Sequence, residues 1–252
     1  MKNRYDFTGM ISSDWNQCLA PCGPFDAICF RYPQLQRELD GVFKRYTSNE
    51  ITLASAVRRI DTLLPAPLSE KDMDAYLTQH FTTYRGVADL MRWCKRNHIL
   101  FMINTTGPLG YFQRVLARDL LPEPSAISAH PGIQFSGFDQ TDLLSYELQE
   151  ITDKGTNTSK AAGHFGIPLR KIIVIGDSGG DGPHFEWASS VGAATITSMA
   201  KPSLLDYCSR RRLKITHRFG HTYVEGEPVA VENEHRYDFM QLAKVIGRVL
   251  GL

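Results

Sequence analysis

Residues 172–181 read Ile172-Ile173-Val174-Ile175-Gly176-Asp177-Ser178-Gly179-Gly180-Asp181, and no other stretch constrains the architecture as tightly. A run of branched apolar residues fits a strand buried on both faces, as in a parallel sheet. It stops at a turn that carries two carboxylates, Asp177 and Asp181, among small residues. Open α/β sheets take their ligands at the carboxyl ends of the strands, which is where these acids stand. Paired carboxylates with little neighbouring bulk suit a hard divalent cation such as Mg²⁺, which prefers oxygen ligands. An Asp-Ser-Gly-Gly turn entering a helix, with Asp181 as N-cap, accounts for the same residues without a metal.

Outward from this stretch the pattern alternates. Residues 159–167 predict a helix with Gly166 near its end, joined to the strand by Pro168-Leu169-Arg170-Lys171. Downstream, Ala193 to Ile196 reads as a short strand and Tyr237 to Leu250 as a closing helix. Upstream, Val87, Leu90, Met91, Trp93 and Cys94 mark an amphipathic helix, and Ile99 to Ile103 a buried strand. That strand is expected to end in a polar turn, Asn104-Thr105-Thr106-Gly107-Pro108, before a helix over Tyr111 to Leu121. Strands alternating with helices predict an α/β fold, a Rossmann-like parallel sheet flanked by helices.

Residues 18–85 break the alternation. They hold helical stretches, Asn49 to Ile60 and one opening at Ser69 with an acidic first turn, separated by Pro65 and Pro67. This predicts an inserted helical cap at 18–85 on a core made of 1–17 and 86–252. A helical domain with its own function is the rival reading. Residues 123–150 predict a small β excursion, with strands near Ala129–Phe135 and Tyr146–Ile151. His130 and His184, each without an obvious partner, are read as structural.

Composition narrows the classes of function. The chain has 252 residues, 42% hydrophobic and 22% charged, with 28 basic and 27 acidic residues for a net charge of +1. Such a balance is that of a globular protein with no global field for nucleic acid or a membrane surface. The run Arg210-Arg211-Arg212 reads as a solvated helix end. Five cysteines, Cys18, Cys22, Cys29, Cys94 and Cys208, form no zinc set and suit reduced thiols in the cytoplasm. The first residues lack a signal-peptide core, and no apolar stretch approaches the roughly 20 residues that span a bilayer.

Polar groups stand at successive strand ends: Asp14 in Ser12-Ser13-Asp14-Trp15-Asn16, Thr105 after the strand at 99–103, Lys154 ahead of the 159–167 helix, then Asp177 and Asp181. Taken singly, Asp14 reads as a turn residue or N-cap, Thr105 as a strand-end hydroxyl and Lys154 as a surface lysine. Lys160 competes with Lys154. In this order they resemble the haloacid dehalogenase-like superfamily, in its phosphoserine-phosphatase-like branch with a helical cap. The resemblance spans most of residues 6–200 and is strongest at 172–181 and from Tyr84-Arg85-Gly86-Val87 to Gly107.

The resemblance implies a Mg²⁺-dependent phosphatase that acts on a small phosphorylated metabolite. Asp14 would attack phosphorus and form an aspartyl-phosphate. Mg²⁺ would be held by Asp14, the Asn16 carbonyl and Asp177, with Asp181 completing or orienting the set and Ser178 on a bound water. Thr105, the N–H groups of Thr106 and Gly107, and Lys154 would hold the phosphoryl oxygens. One position departs from the pattern. Members usually carry an aspartate two residues after the nucleophile to protonate the leaving alcohol and activate water, and here that residue is Asn16. An amide does neither, which raises the alternatives of a catalytically impaired phosphate-ligand binder or a phosphotransferase. Metal-free dehalogenation is disfavoured by the paired acids.

Overall fold

The computed structural model describes residues 7–47, 50–136 and 143–252. Seven parallel strands form one sheet: β1 (Gly9–Ser13), β2 (Ile99–Pro108), β3 (Ala126–His130), β4 (Leu144–Glu147), β5 (Ile172–Gly176), β6 (Ala194–Ala200) and β7 (His217–Thr222). Their order is β4-β3-β2-β1-β5-β6-β7. The chain builds outward from β1 to β4, then crosses back to lay β5 on the other side of β1. That reversal places a topological switch between β1 and β5, where the carboxyl ends of the strands open a crevice.

Five helices lie between β1 and β2: α1 (Asp26–Arg31), α2 (Gln36–Thr47), α3 (Leu53–Leu63), α4 (Glu70–His80) and α5 (Val87–Arg96). Then follow α6 (Leu109–Ala117) after β2, α7 (Asp153–His164) before β5, α8 (Gly182–Ser190) after it, α9 (Pro202–Arg210) after β6, and finally α10 (Val231–Glu234) and α11 (Gln241–Leu250). The strand period of two sorts the core into two layers. Ile11, Phe101, Ile103, Ile173 and Ile175 face α5 and α11, packing with Leu90 and Ile246. Met10, Leu100, Met102, Ile172 and Val174 face α7, α8 and α9, packing with Ala161, Phe185 and Leu204. Burial on both faces explains the unbroken apolar run of β5, each such side chain contributing about 1.5–3 kcal/mol.

Several expected elements differ in extent. β2 continues through the polar stretch 104–108, with an irregular register between Asn104 and Pro108, so no turn interrupts it. β6 runs to Ala200 and the helix before β5 begins at Asp153 rather than 159. The helix expected over 111–121 spans Leu109–Ala117, and the closing helix starts at Gln241. Strands expected at 129–135 and 146–151 are β3 and β4, full members of the main parallel sheet. β7 carried no apolar alternation strong enough to predict it. The helix expected from Asn49 begins at Leu53 with Thr52 as its cap, and Asn49 lies outside the described residues.

The helical stretch between β1 and β2 is fastened to the sheet at two points. The Glu150 carboxylate accepts the N–H groups of Leu53 (3.0 Å) and Ala54 (3.1 Å), capping α3 from beyond β4. From α6, the Arg114 guanidinium reaches Asp74 (2.9 and 2.8 Å) and Glu70 (3.1 Å) on α4. α4 itself starts as read, with Ser69 and Asp72 in a reciprocal capping box.

Candidate active site

Neighbouring strand ends bring the first two acids together. Ser13 pairs with Ile175 in register, so Asp14 and Asp177 leave β1 and β5 side by side. The Asp14 N–H then donates to the Ile175 carbonyl at 3.0 Å. Asp181 closes a single 3-10 turn, Gly179–Asp181, and folds back. Its Oδ2 accepts the N–H of Asp177 (2.9 Å) and of Ser178 (3.3 Å). Gly176 makes room for this: a Cβ there would lie 2.5 Å from the Asp181 Cγ. One oxygen from each of Asp14, Asp177 and Asp181 falls within 4.8 Å of the others, and all three residues are buried.

Two lysines oppose these acids. Lys154, in the first turn of α7, is 2% exposed and donates to Asp14 Oδ1 (2.9 Å) and Asp181 Oδ1 (2.6 Å). Lys160, its competitor, is exposed two turns further along the helix. Lys201 donates to Asp177 Oδ2 at 2.6 Å and to the Gln17 amide oxygen. The sequence reading missed Lys201 because it ended β6 four residues early. The signal available was Lys201-Pro202, a cation at a strand end followed by proline at a helix N1 position.

Beneath the site lies a polar seam, also unforeseen. Asn104 Nδ2 reaches Ser12 Oγ (3.1 Å), Thr158 Oγ1 (3.0 Å) and the Lys154 carbonyl (2.9 Å). Thr158 in turn meets Ser12 (2.9 Å) and His184 Nε2 (3.0 Å). This seam explains why β1 carries Ser12 where an apolar residue is usual, and it fixes the turn of α7 that aims Lys154. Burial, with Lys154 nearby, pushes His184 down to about 3, so the ring is neutral.

Asn16 sits at the cleft, its Oδ1 accepting from Thr105 Oγ1 at 3.3 Å. Its Nδ2 lies 3.4 Å from the Cys22 carbonyl. The Gly107 N–H donates to Thr105 Oγ1 at 3.1 Å. Thr105 and Gly107 therefore satisfy one another and Asn16, which departs from the expectation that both face phosphoryl oxygens. Thr106 does line the cleft, about 420 Å³ with its open mouth included, with Asp14, Asn16, Lys154, Asp177, Asp181 and Lys201.

The electrostatics separate the acids. Burial pushes Asp177 up to about 8, against the pull of Lys201. Burial also raises Asp14, with Lys154 opposing. For Asp181 burial is outweighed by Lys154 and the Asp177 N–H, and its carboxyl lies below the usual range. The residues fit a hard cation. Asp177 Oδ1 is buried without a hydrogen-bond partner among the described residues, and the donor set is carboxylate oxygen. Asp181 spends both oxygens on Lys154 and backbone N–H groups, so it orients the others.

No protein-family model matches the chain, and no curated protein is similar to it in sequence. Solved structures are similar in fold. A phosphoserine phosphatase in a phospho-aspartyl intermediate analogue form superposes with a TM-score of 0.66, covering 95% of this chain and 99% of its own at 15% identity. A substrate-bound phosphoserine phosphatase gives 0.66, covering 94% and 97% at 16% identity. A HAD-family hydrolase from Salmonella enterica serovar Typhi gives 0.59, covering 84% and 67% at 17% identity. The seven-stranded sheet with its aspartates at the β1/β5 switch point thus has the Rossmann-like α/β fold that phosphoserine phosphatases have.

Proposed function

We propose that the protein is a Mg²⁺-dependent phosphatase of the haloacid dehalogenase-like superfamily, acting on a small phosphorylated metabolite through an aspartyl-phosphate on Asp14. One observation carries the reading: the buried Lys154 ammonium bridges Asp14 and Asp181 at the mouth of a crevice that Asp177 completes. The Asp14 carboxylate would attack phosphorus in line, the bond to the leaving oxygen breaking as the acyl phosphate forms. Lys154 holds the nucleophile in place and offers positive charge to the phosphoryl oxygens, and Lys201 holds Asp177. Mg²⁺, on Asp14 and Asp177, would supply charge neutralisation. Residues 18–85 would act as the cap over the core formed by 1–17 and 86–252. Five free thiols and the absence, among the described residues, of a helix able to cross a membrane are compatible with the cytoplasm.

The test is hydrolysis of para-nitrophenyl phosphate with and without Mg²⁺, beside an Asp14→Ala control. Metal-dependent turnover confined to the wild type is expected, and equal rates in the two proteins reject the reading. A second reading rests on Asn16, whose amide is bonded to Thr105 where a general acid is wanted: an impaired binder of phosphorylated ligands, or a phosphotransferase. Asn16→Asp decides between them, because an acid/base group contributes about 10²–10⁴-fold. A gain of tenfold or more identifies impairment.

A further inference from the structure

A second cavity of about 630 Å³, open mouth included, adjoins the aspartate cleft and shares Pro24, Phe43, Tyr46 and Thr106 with it. Ile28 of α1, Phe43 of α2, Leu53, Val57 and Ile60 of α3 and Ile133 beyond β3 give it apolar walls. Among the described residues no lysine or arginine lines it, and its one charged lining residue is the exposed carboxylate Asp61. At the wall stands His130, whose Nδ1 accepts the Gly132 N–H at 2.9 Å, leaving the ring proton on Nε2. Burial lowers the affinity of His130 for a second proton, so the ring stays neutral. Nothing in this chamber compensates a carboxylate, and an apolar body loses water on entering it.

The cleft adds an independent constraint. Its carboxyl groups are those of Asp14, Asp177 and Asp181, of which Asp181 has both oxygens engaged. Asn16 holds no proton to give, and burial makes the Tyr46 hydroxyl a weaker acid than usual. With Mg²⁺ on Asp14 and Asp177 neither carboxyl would carry a proton, and the Lys154 and Lys201 ammonium groups are turned to the acids, so a leaving oxygen able to depart as its anion is favoured. A phenol, with a pKa near 10 like that of tyrosine, does so far more readily than an alkanol.

We propose that the substrate is the phosphate monoester of a hydrophobic phenol, its aryl body in the apolar chamber and its phosphoryl group against Asp14. This rests on the phosphatase reading above. An Asp14 oxygen bonds to phosphorus, the bond from phosphorus to the aryl oxygen breaks, and the electron pair leaves on the phenolate, which takes its proton from solvent.

Three comparisons of kcat/KM with Mg²⁺ present test it. 4-Propylphenyl phosphate should exceed phenyl phosphate by at least about tenfold, the low end for added methylenes in an apolar pocket. Phenyl phosphate should exceed benzyl phosphate by about 100-fold, the low end of a missing general acid, and Asn16→Asp should narrow that gap. O-Phosphoserine should be poorest. Val57→Asp, or Ile133→Asn if that variant does not fold, should erase the propyl preference. Phosphoserine or benzyl phosphate hydrolysed as fast as phenyl phosphate overturns the assignment and leaves the phosphatase reading intact. If no ester turns over, that reading fails, and calorimetry decides the chamber. A tenfold preference for 4-propylbenzylphosphonate over methylphosphonate, lost in Val57→Asp, upholds an aryl phosphate ligand; equal or absent binding overturns it.

Discussion

Replacing Gly176 by alanine tests the steric core of the site. Gly176 does not have a positive φ, so on backbone grounds alanine should stabilise by about 0.4–1 kcal/mol. The side-chain environment predicts the opposite sign. The new Cβ would lie 2.5 Å from Asp181 Cγ and 2.6 Å from Oδ2, where carbon atoms sit at about 3.5–4.0 Å. Asp181, fully buried, would have to withdraw by about 1 Å, which stretches its 2.6 Å bond to Lys154 and its 2.9 Å bond from the Asp177 N–H past the ~3.2 Å limit of a good hydrogen bond. Overpacking costs about 1–3 kcal/mol, and each charged hydrogen bond lost about 1.5–3 kcal/mol. A net loss of about 4 kcal/mol lowers Tm by roughly 10 °C at this chain length. Thermal unfolding followed by circular dichroism measures it, with a calorimetric Mg²⁺ titration expected to show weakened binding. An alanine variant as stable as the wild type, with unchanged Mg²⁺ affinity, would refute the packing argument.

Three further outcomes follow from the same geometry. Lys154→Met strands two buried carboxylates, and breaking such a pair costs about 3–5 kcal/mol; Tm should fall, and added Mg²⁺ should recover part of it, whereas an unchanged melt would make Lys154 peripheral. Asp177, raised by burial to about 8 from the ordinary carboxylate range, holds its proton more tightly folded than unfolded. Its contribution to stability is therefore present at low pH and lost as pH rises from about 4 through 8. Since Mg²⁺ must displace that proton, the Mg²⁺-induced gain in Tm should grow between pH 6 and 9, and a flat profile would remove Asp177 from the ligand set. Finally, Cys18, Cys22, Cys94 and Cys208 are buried and burial lifts the half-buried Cys29 to about 11. At neutral pH a thiol-disulfide reagent should label the native protein slowly and all five thiols after denaturation.

The sheet was legible wherever strands are apolar on both faces, as in β5 and at the start of β2, because burial there leaves a continuous signature. It was not legible where polar residues enter the sheet for a structural purpose. Asn104 continues β2 and Ser12 sits mid-sheet because the seam under Lys154 needs hydrogen-bonding groups rather than volume. β7, His217–Thr222, is only partly buried and lacks alternation. Asp177 and Asp181 could be found because they follow the readable strand β5, and Asp14 and Lys154 through their order along the chain relative to them; the structure brings all four together. Lys201 carried a signal only in the Lys201-Pro202 step, and its pairing with Gln17 was not legible, since it depends on the true end of β6 and on the turn after β1. The orientation of Thr105 and Gly107 toward each other belongs to backbone geometry that sequence spacing does not encode.

The two lysines set a charge state with consequences for the order of arrival. Three carboxylates against two ammonium groups leave the cleft with one negative charge, or none while Asp177 keeps its proton. Such a pocket gives a phosphate dianion no net attraction. A divalent cation would reverse the sign, and a phosphoryl group would then restore one negative charge. Cation and anion would thus raise each other's affinity by the same factor, as thermodynamic reciprocity demands. With Lys154 alone a divalent cation would bring the cleft only to neutrality, so Lys201 is the counterweight that would let one metal ion turn the pocket from indifferent to phosphate-seeking.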